Sequence, residues 1–355
     1  MYTINDILSS PQVLSSVIDR ARAVEQDTPK WRQYLTFQET PAETFRTAYG
    51  SKSAVRMGSV ISDYANKPLR NREGLTPGIL SVANLGDRFQ MGKDRLELLS
   101  NLLARLNADG LTAQSVDEIS NFLVDDVREL TLAPEKRMDK VLFDLLTTGT
   151  AEIKLKDNPK GVQVLDIEVP VNKETAKSSD KGHILGFIQT LVTKYKRYKY
   201  REIVMSNETF VKYFMNSDEF KVYAKATMGD LEAKLSGILT EPMLSGIFAN
   251  FGLPAVRVVS NYVRTIADED IPLLPEGKIA IIPSANLGYM RWKRTYETID
   301  RVPGKTYIER EGGLLISTER TNEGRFTEYE CMWVPEIREA RSVVAVDLTA
   351  AAPTA

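Results

Sequence analysis

Five places in the sequence bring reactive side chains close enough together to suggest chemistry. The first is the run Lys194, Lys196, Arg197, Lys199 and Arg201, interleaved with Tyr195, Tyr198 and Tyr200. Cations at that spacing can neutralise phosphates while tyrosines stack on exposed bases, which makes this the best nucleic-acid signal in the chain. A structural reading competes with it. The run falls where a helix ends, where cations complement the helix dipole and their stems cover apolar surface. Nothing else in the chain builds an extended basic groove, so the structural reading is favoured. Gly304-Lys305-Thr306 matches the end of a phosphate-binding loop, but the position of its first glycine holds Ile299. Gly86 and Gly92-Lys93 stand one residue too far apart, and Asp94 replaces the hydroxyl that would hold magnesium. Without glycines at the set spacing, backbone N–H groups cannot crowd a phosphate, and neither stretch is expected to form a cradle.

The remaining two places are acidic. Asp125-Asp126 and Asp268-Glu269-Asp270 are the candidates for a hard metal. The first pair falls on a helical pattern, where adjacent residues face apart, and the second reads as a loop. With 48 acidic side chains in the chain, adjacent pairs arise by chance. The single histidine, His183, lies between Gly182 and Ile184 and reads as the residue that starts a helix. The single cysteine, Cys331, excludes an internal disulfide and any thiolate metal cluster. No catalytic, cofactor-binding or metal-binding residue is predicted, no cofactor is implied, and the chain is not expected to be an enzyme.

Composition points the same way. The 355 residues suffice for one large domain or two ordinary ones, with 43% hydrophobic and 26% charged residues. The net charge is −2, from 46 basic and 48 acidic side chains. Proteins that grip duplex DNA with their own surface usually carry a large positive excess. A balanced surface suits protein partners, or other copies of the same chain. No stretch approaches a membrane span, and Met1-Tyr2-Thr3-Ile4-Asn5-Asp6 has no basic region ahead of an apolar core. The expectation is a protein made in the cytosol and used or assembled there.

The elements divide the chain into segments. Residues 1–47 read as an arm, helical and then extended, whose apolar residues (among them Ile18, Trp31, Tyr34 and Phe37) need a surface to lie against. Residues 48–92 read as a long open hairpin. Its two extended runs, 53–64 and 79–91, flank a tip with Pro68, Arg70, Asn71, Arg72, Gly74, Pro77 and Gly78. A free two-stranded hairpin is marginal in water, so this one is expected to lie on something, such as a neighbouring subunit. Residues 93–148 are helical, with a break near 107–110, a kink or split at Pro134, and Gly149 as the stop. A strand is predicted at 161–170. Between 175 and 284 helices and strands alternate: a helix at 182–195, a strand at 202–206, a helix capped by Asn207, a helix opening at Thr240-Glu241-Pro242 and closing at Gly252, and strands at 255–260 and 278–283. Extended runs return from 285. Within 325–334, Thr327, Tyr329, Cys331 and Trp333 share one side, after a tight connection at Asn322-Glu323-Gly324. The last strand, 342–348, is apolar on both faces and should be central. The tail, 351–355, is too bland to fold.

This order of elements resembles the Hong Kong 97-like major capsid proteins of tailed phages, and within them the lambda-type capsid protein E group. The local matches are Thr76-Pro77-Gly78 closing the hairpin tip, residues 201–207 followed by a helix, 253–262 as a strand into a loop, Leu274-Pro275-Glu276-Gly277 before the strand at 278–283, and the closing 341–348. The resemblance implies an α+β fold with an N-terminal arm (1–47), an extended E-loop hairpin (48–92), a peripheral domain of spine helix and long β-sheet (93–174 and 285–350), and an inserted α/β axial domain (175–284). It also implies hexamers and pentamers of one chain forming the icosahedral head shell around double-stranded DNA. That shell belongs to the virion and is assembled in the host cytoplasm, with no membrane involved. A portal, a decoration protein and a scaffolding protein are implied partners. Fewer than fifty residues precede the hairpin, so a scaffold, if used, would be a separate protein. The lysine–asparagine cross-link of some members does not map onto this sequence. Lys67, Arg70 and Arg72 at the hairpin tip are candidates for charge-assisted contacts with a neighbour, against the plain alternative of a solvated turn. Two further classes compete: a cellular encapsulin, which is the same fold enclosing cargo, and a nucleic-acid-binding protein using residues 194–201. An α/β enzyme with carboxylate chemistry is the least favoured.

Overall fold

The computed structural model describes residues 15, 18–19, 29–50, 75–109, 113–153, 165–223, 239–265, 268–283, 286–322 and 324–352. A 3-10 turn at Lys30–Gln33 leads into β1 (Leu35–Glu39) and β2 (Thr44–Tyr49), and β3 (Thr76–Ser81) and β4 (Ala83–Met91) follow the hairpin tip. β2 and β3 pair antiparallel from Thr44 opposite Ser81 to Tyr49 opposite Thr76. The paired arms of the hairpin therefore include Thr44–Tyr49, ahead of the boundary expected at 48. The run 53–64 and the tip residues Lys67, Arg70 and Arg72 lie outside the described residues.

Helices α1 (Lys93–Asp109) and α2 (Ala113–Thr148) come next, divided where the sequence predicted. Pro134 does not split α2, which runs through it. A proline in a helix removes one backbone hydrogen bond. Here Leu130, Met138, Leu142 and Leu145 are buried on either side of it, and that packing holds the helix together. Gly149, at φ +77°, ends α2, and its N–H donates to the Leu145 carbonyl at 3.0 Å.

β5 (Thr150–Ile153) pairs with β6 (Leu165–Glu168), the described part of the strand expected at 161–170. β7 (Asn172–Thr175), α3 (Ile184–Lys194) and β8 (Glu202–Ser206) follow. The next helical turn, Asn207–Thr209, is capped not by Asn207 but by Ser206, whose Oγ accepts from the Thr209 N–H at 3.2 Å. It runs directly into a π turn at Phe210–Met215. Then come α4 (Glu241–Asn250), β9 (Ala255–Val259), the hairpin β10 (Tyr262–Arg264) and β11 (Asp270–Pro272), and β12 (Lys278–Ile282). The chain closes with β13 (Gly288–Lys293), a single turn at Tyr296–Ile299, β14 (Thr306–Arg310), β15 (Leu314–Thr321), β16 (Gly324–Ile337) and β17 (Val344–Asp347).

Two sheets carry this α+β architecture. In the six-stranded sheet the order is β1-β13-β16-β15-β14, and β4 also pairs along β16 from Arg325 opposite Met91 to Trp333 opposite Ala83. In the five-stranded sheet it is β7-β17-β12-β8-β9. The closing strand β17 was expected with the returning long strands; instead it lies between β7 and β12. Its place follows from burial on both faces. Val344 and Val346 join Ile203, Met205, Ile279 and Ile281 in a core with α3 and α4. Val204, Ala280 and Ile282 join the main core with α2. A sheet packed on both faces needs strands without polar alternation, which explains the continuous apolar runs of β8, β12 and β17.

The leading segment corrects another expectation. Ile18, Trp31, Tyr34 and Leu35 are buried in the main core of their own chain rather than waiting for another copy. β1 lies parallel to β13, Leu35 opposite Gly288 through Glu39 opposite Trp292, a pairing across some 250 positions. Leu80, Val82 and Ala83 of the returning hairpin arm are buried in that core as well.

Candidate functional site

Among the described residues, no cluster of reactive side chains emerges as a catalytic centre. Among the described residues, no group of three or more histidine, cysteine or acidic side chains is placed to hold a metal ion. No helix there is long and apolar enough to cross a membrane. The buried polar groups instead form clamps that fix to the body the described parts of the two segments that needed a surface to lie against, the arm and the hairpin.

The arm clamp is built on α2. Trp31 donates its backbone N–H to Asp139 Oδ1 at 2.7 Å and its indole N–H to Glu135. Arg32 bridges Glu135, at 2.5 Å, and Glu311, at 2.8 Å. Its charge resists burial, but the two carboxylates outweigh that and hold its pKa above the ordinary guanidinium value. Trp31, Phe37 and Trp333 meet at ring-centroid distances of 4.9, 6.2 and 5.1 Å, largely edge to face.

The hairpin clamp is built on Glu336, which is buried near the end of β16. It accepts from the Thr47 hydroxyl, from Arg291 Nε at 2.7 Å and from Arg338 Nε at 3.3 Å. Backbone bonds flank it, from the Gly50 N–H to the Arg338 carbonyl at 2.8 Å and from the Arg341 N–H to the Gly50 carbonyl at 3.2 Å. Burial pushes the Tyr49 hydroxyl up to about 12, and the Glu336 charge adds to the shift. Among the described residues, the outer face of β3 is exposed. Ile79 is 71% and Leu75 66% exposed, while Leu80, on the opposite face from Ile79, is 4% exposed.

The residues singled out in the sequence fall outside any common site. In the basic run, Lys194 donates to Glu174 at 2.5 Å and lies 5.2 Å from the Tyr195 ring, and Arg197 lies 4.6 Å from the Tyr198 ring. Tyr195 and Tyr198 stack on each other at 6.5 Å, and Tyr198 is buried, so that ring is closed to a base. Lys196, Lys199 and Arg201 are exposed. The run follows α3, where a helix end was read. Lys305 of the phosphate-loop fragment is held by Glu297, at 2.9 and 3.1 Å, and by Glu328. Asp270 pairs with Arg264 across the β10–β11 turn. The side chains of Asp125 and Asp126 lie outside the described residues. His183 is the residue before α3, as expected, but it does not cap the helix with its side chain. That task falls to Glu219, which accepts from the Ile184 and Leu185 N–H groups at 2.9 and 3.3 Å. Burial pushes Glu219 above the usual carboxylate value, partly countered by these bonds. Cys331 is fully buried, which pushes its thiol far up.

Glu135, Glu219 and Glu336 were missed in the sequence. Nothing local marks a carboxylate as buried, because its partners are far along the chain.

No family model matches the chain, and no curated protein sequence matches it. Solved structures do. A phage-related protein from Bordetella bronchiseptica RB50 superimposes with a TM-score of 0.52 at 10% identity, over 95% of this chain and 96% of the other. A protein described as the capsid protein of a prophage in Escherichia coli CFT073 does so with a TM-score of 0.56 at 10% identity, over 95% and 98%. At that identity the likeness concerns architecture, and it spans nearly the whole of both chains. The chain has the Hong Kong 97-like capsid fold.

Proposed function

We propose that this chain is the structural subunit of a phage head shell, assembling with copies of itself into hexamers and pentamers around packaged double-stranded DNA. The observation that carries the reading is the hairpin. β2 and β3 are tied to the body through Thr47 and Glu336 and through Gly50, yet they present Ile79 and Leu75 to solvent. An anchored ribbon with a bare apolar face is what a subunit needs to overlap its neighbour, and closed symmetry then multiplies a modest contact. The segment 93–174 with 285–350 serves as the peripheral region in this reading, except for β7 and β17, which join the sheet of the axial region, 175–284. Lys67, Arg70 and Arg72 would extend the overlap at the tip. The packaged DNA, a portal, a decoration protein and a separate scaffold are the further partners, and the virion is the destination after assembly in the host cytoplasm. The role is structural rather than catalytic.

Electron microscopy of the purified chain is the direct test. Closed particles of uniform size are expected, and a deletion of residues 67–78 should leave a soluble, folded subunit that no longer closes. Normal particles from that deletion, or a purely monomeric unchanged chain under all assembly conditions, would defeat the reading.

A further inference from the structure

Residues 194–201 carry five cations and no acidic side chain, in a chain of net charge −2. The structure holds their backbone in one shape. Tyr198, 3% exposed, stacks on Tyr195 and meets Tyr200 edge to face at 6.3 Å. The Tyr198 N–H donates to the Tyr195 carbonyl at 3.0 Å, and the Arg201 N–H donates to the Ile282 carbonyl of β12 at 2.8 Å. The tyrosines thus pin a turn between α3 and β8 from within, and the five cations stay exposed around it.

Helix-end chemistry accounts for only part of this charge. Lys194 pairs with Glu174, and Arg197 lies over the Tyr198 ring. Lys196, Lys199 and Arg201 meet no carboxylate among the described residues. α3 ends at Lys194, and a helix dipole fades within the last turn, so it does not explain Lys199 or Arg201. Like charges held on one turn repel each other, and a polyanion laid against them relieves that repulsion.

We propose that Lys196, Lys199 and Arg201 bind the phosphate backbone of duplex DNA, the molecule that the shell encloses. The proposal rests on the shell reading, which supplies the duplex. The chemistry selects backbone over bases. Cations neutralise phosphates whatever the sequence, whereas stacking needs an open ring, and Tyr198, the middle ring of the three, is buried. Three contacts from each subunit make a weak grip, which repetition around a closed shell multiplies.

A salt series tests this, with the full-length chain and a labelled duplex of mixed sequence. Each neutralised phosphate adds about 0.9 to the slope of log affinity against log salt. A chain with Lys196→Gln, Lys199→Gln and Arg201→Gln should therefore show a slope flatter by about 2.7. Between about 50 and 200 mM salt, the unchanged chain should lose about fortyfold more affinity than this variant. A second chain, with Lys177→Gln, Lys212→Gln and Lys221→Gln, removes three other exposed cations and has the same net charge. Its slope should match that of the unchanged chain. Equal thermal midpoints show that all three chains fold. No binding by the unchanged chain at low salt, equal slopes for it and the first variant, equal losses in both variants, or tighter binding of single strands would each overturn the assignment. So would a first variant that binds duplex normally but forms no particles, because the run would then lie against another subunit. Salt-dependent binding by the run in a chain that never forms particles would defeat the shell reading and leave the DNA contact. Particles with unaltered slopes would defeat the contact alone.

Discussion

The indole N–H of Trp31 donates to Glu135 Oε2 at 2.6 Å, linking the segment before the first strand to the middle of the longest helix. Glu135 is 2% exposed, and a buried carboxylate is tolerated only when its oxygens are occupied. Trp31 and Arg32, adjacent in sequence, occupy both. The clamp therefore works as a unit in which apolar burial of the ring and satisfaction of the charge depend on the same residue.

Trp31→Phe should keep most of the ring's burial and lose the bond. The expected loss is about 1.5–3 kcal/mol, the range for a hydrogen bond to a charged group. Trp31→Ala should lose about 3–5 kcal/mol, because a cavity opens beside Phe37 and Trp333. Denaturant midpoints at unchanged m-value measure both. Equal midpoints for Trp31→Phe and the unchanged chain would mean that the bond contributes nothing.

Much of this fold was legible from pattern. β8 and α4 emerged within a residue or two of their predicted limits, because a strand between turns and a capped helix are local events. What failed was non-local. No pattern near Leu35 reveals that it pairs with β13, and charged residues default to the surface, so Glu135 and Glu336 read as solvent-facing. The Asn207 error was local: two good caps, Ser206 and Asn207, stand side by side, and only the backbone decides between them. β17 was correctly read as central but given the wrong sheet, because burial on both faces does not say which neighbours provide it.

Glycine substitutions should divide by position. A Cβ at Gly288 would meet the Glu336 carbonyl oxygen at 1.9 Å, and a backbone atom in a paired strand cannot yield. Gly288→Ala should destabilise by about 3 kcal/mol, the upper end for overpacking, and should loosen the Glu336 clamp. At Gly246, in the middle of α4, nothing lies within 4 Å of the added carbon. Gly246→Ala should stabilise by about 1 kcal/mol through helix propensity. The same chemical change with opposite signs in a thermal melt is the expected result.

Acid should weaken the five-stranded sheet. Burial alone would raise the Asp347 pKa, but bonds from Lys278 and Thr349 outweigh it and hold the carboxyl below its ordinary value. Glu174 is lowered in the same way, against burial, by Lys194 and Tyr195. A depressed folded pKa gives stability that is complete above the unfolded value and lost as pH falls through the folded one. Stability should therefore drop below roughly pH 4. Asp347→Asn should be less stable than the unchanged chain at neutral pH by about 1 kcal/mol, with the gap closing in acid. A gap that stays constant down to pH 2 would contradict the assignment.

Neighbours on β3 separate folding from assembly. Leu80 faces the main core at 4% exposure, and Ile79, one residue earlier, is 71% exposed on the other face. Leu80→Ala removes buried methyl groups and should destabilise the isolated subunit by about 2–5 kcal/mol. Ile79→Asp touches nothing within the chain's core and should leave subunit stability within about 0.5 kcal/mol. If the bare face of the hairpin meets another subunit, however, Ile79→Asp buries a carboxylate against apolar surface at every such contact, and the burden repeats around a closed shell. Particle yield should then collapse while unfolding is unchanged. A soluble Ile79→Asp chain that assembles normally would show that the exposed face of β3 lies free in the shell.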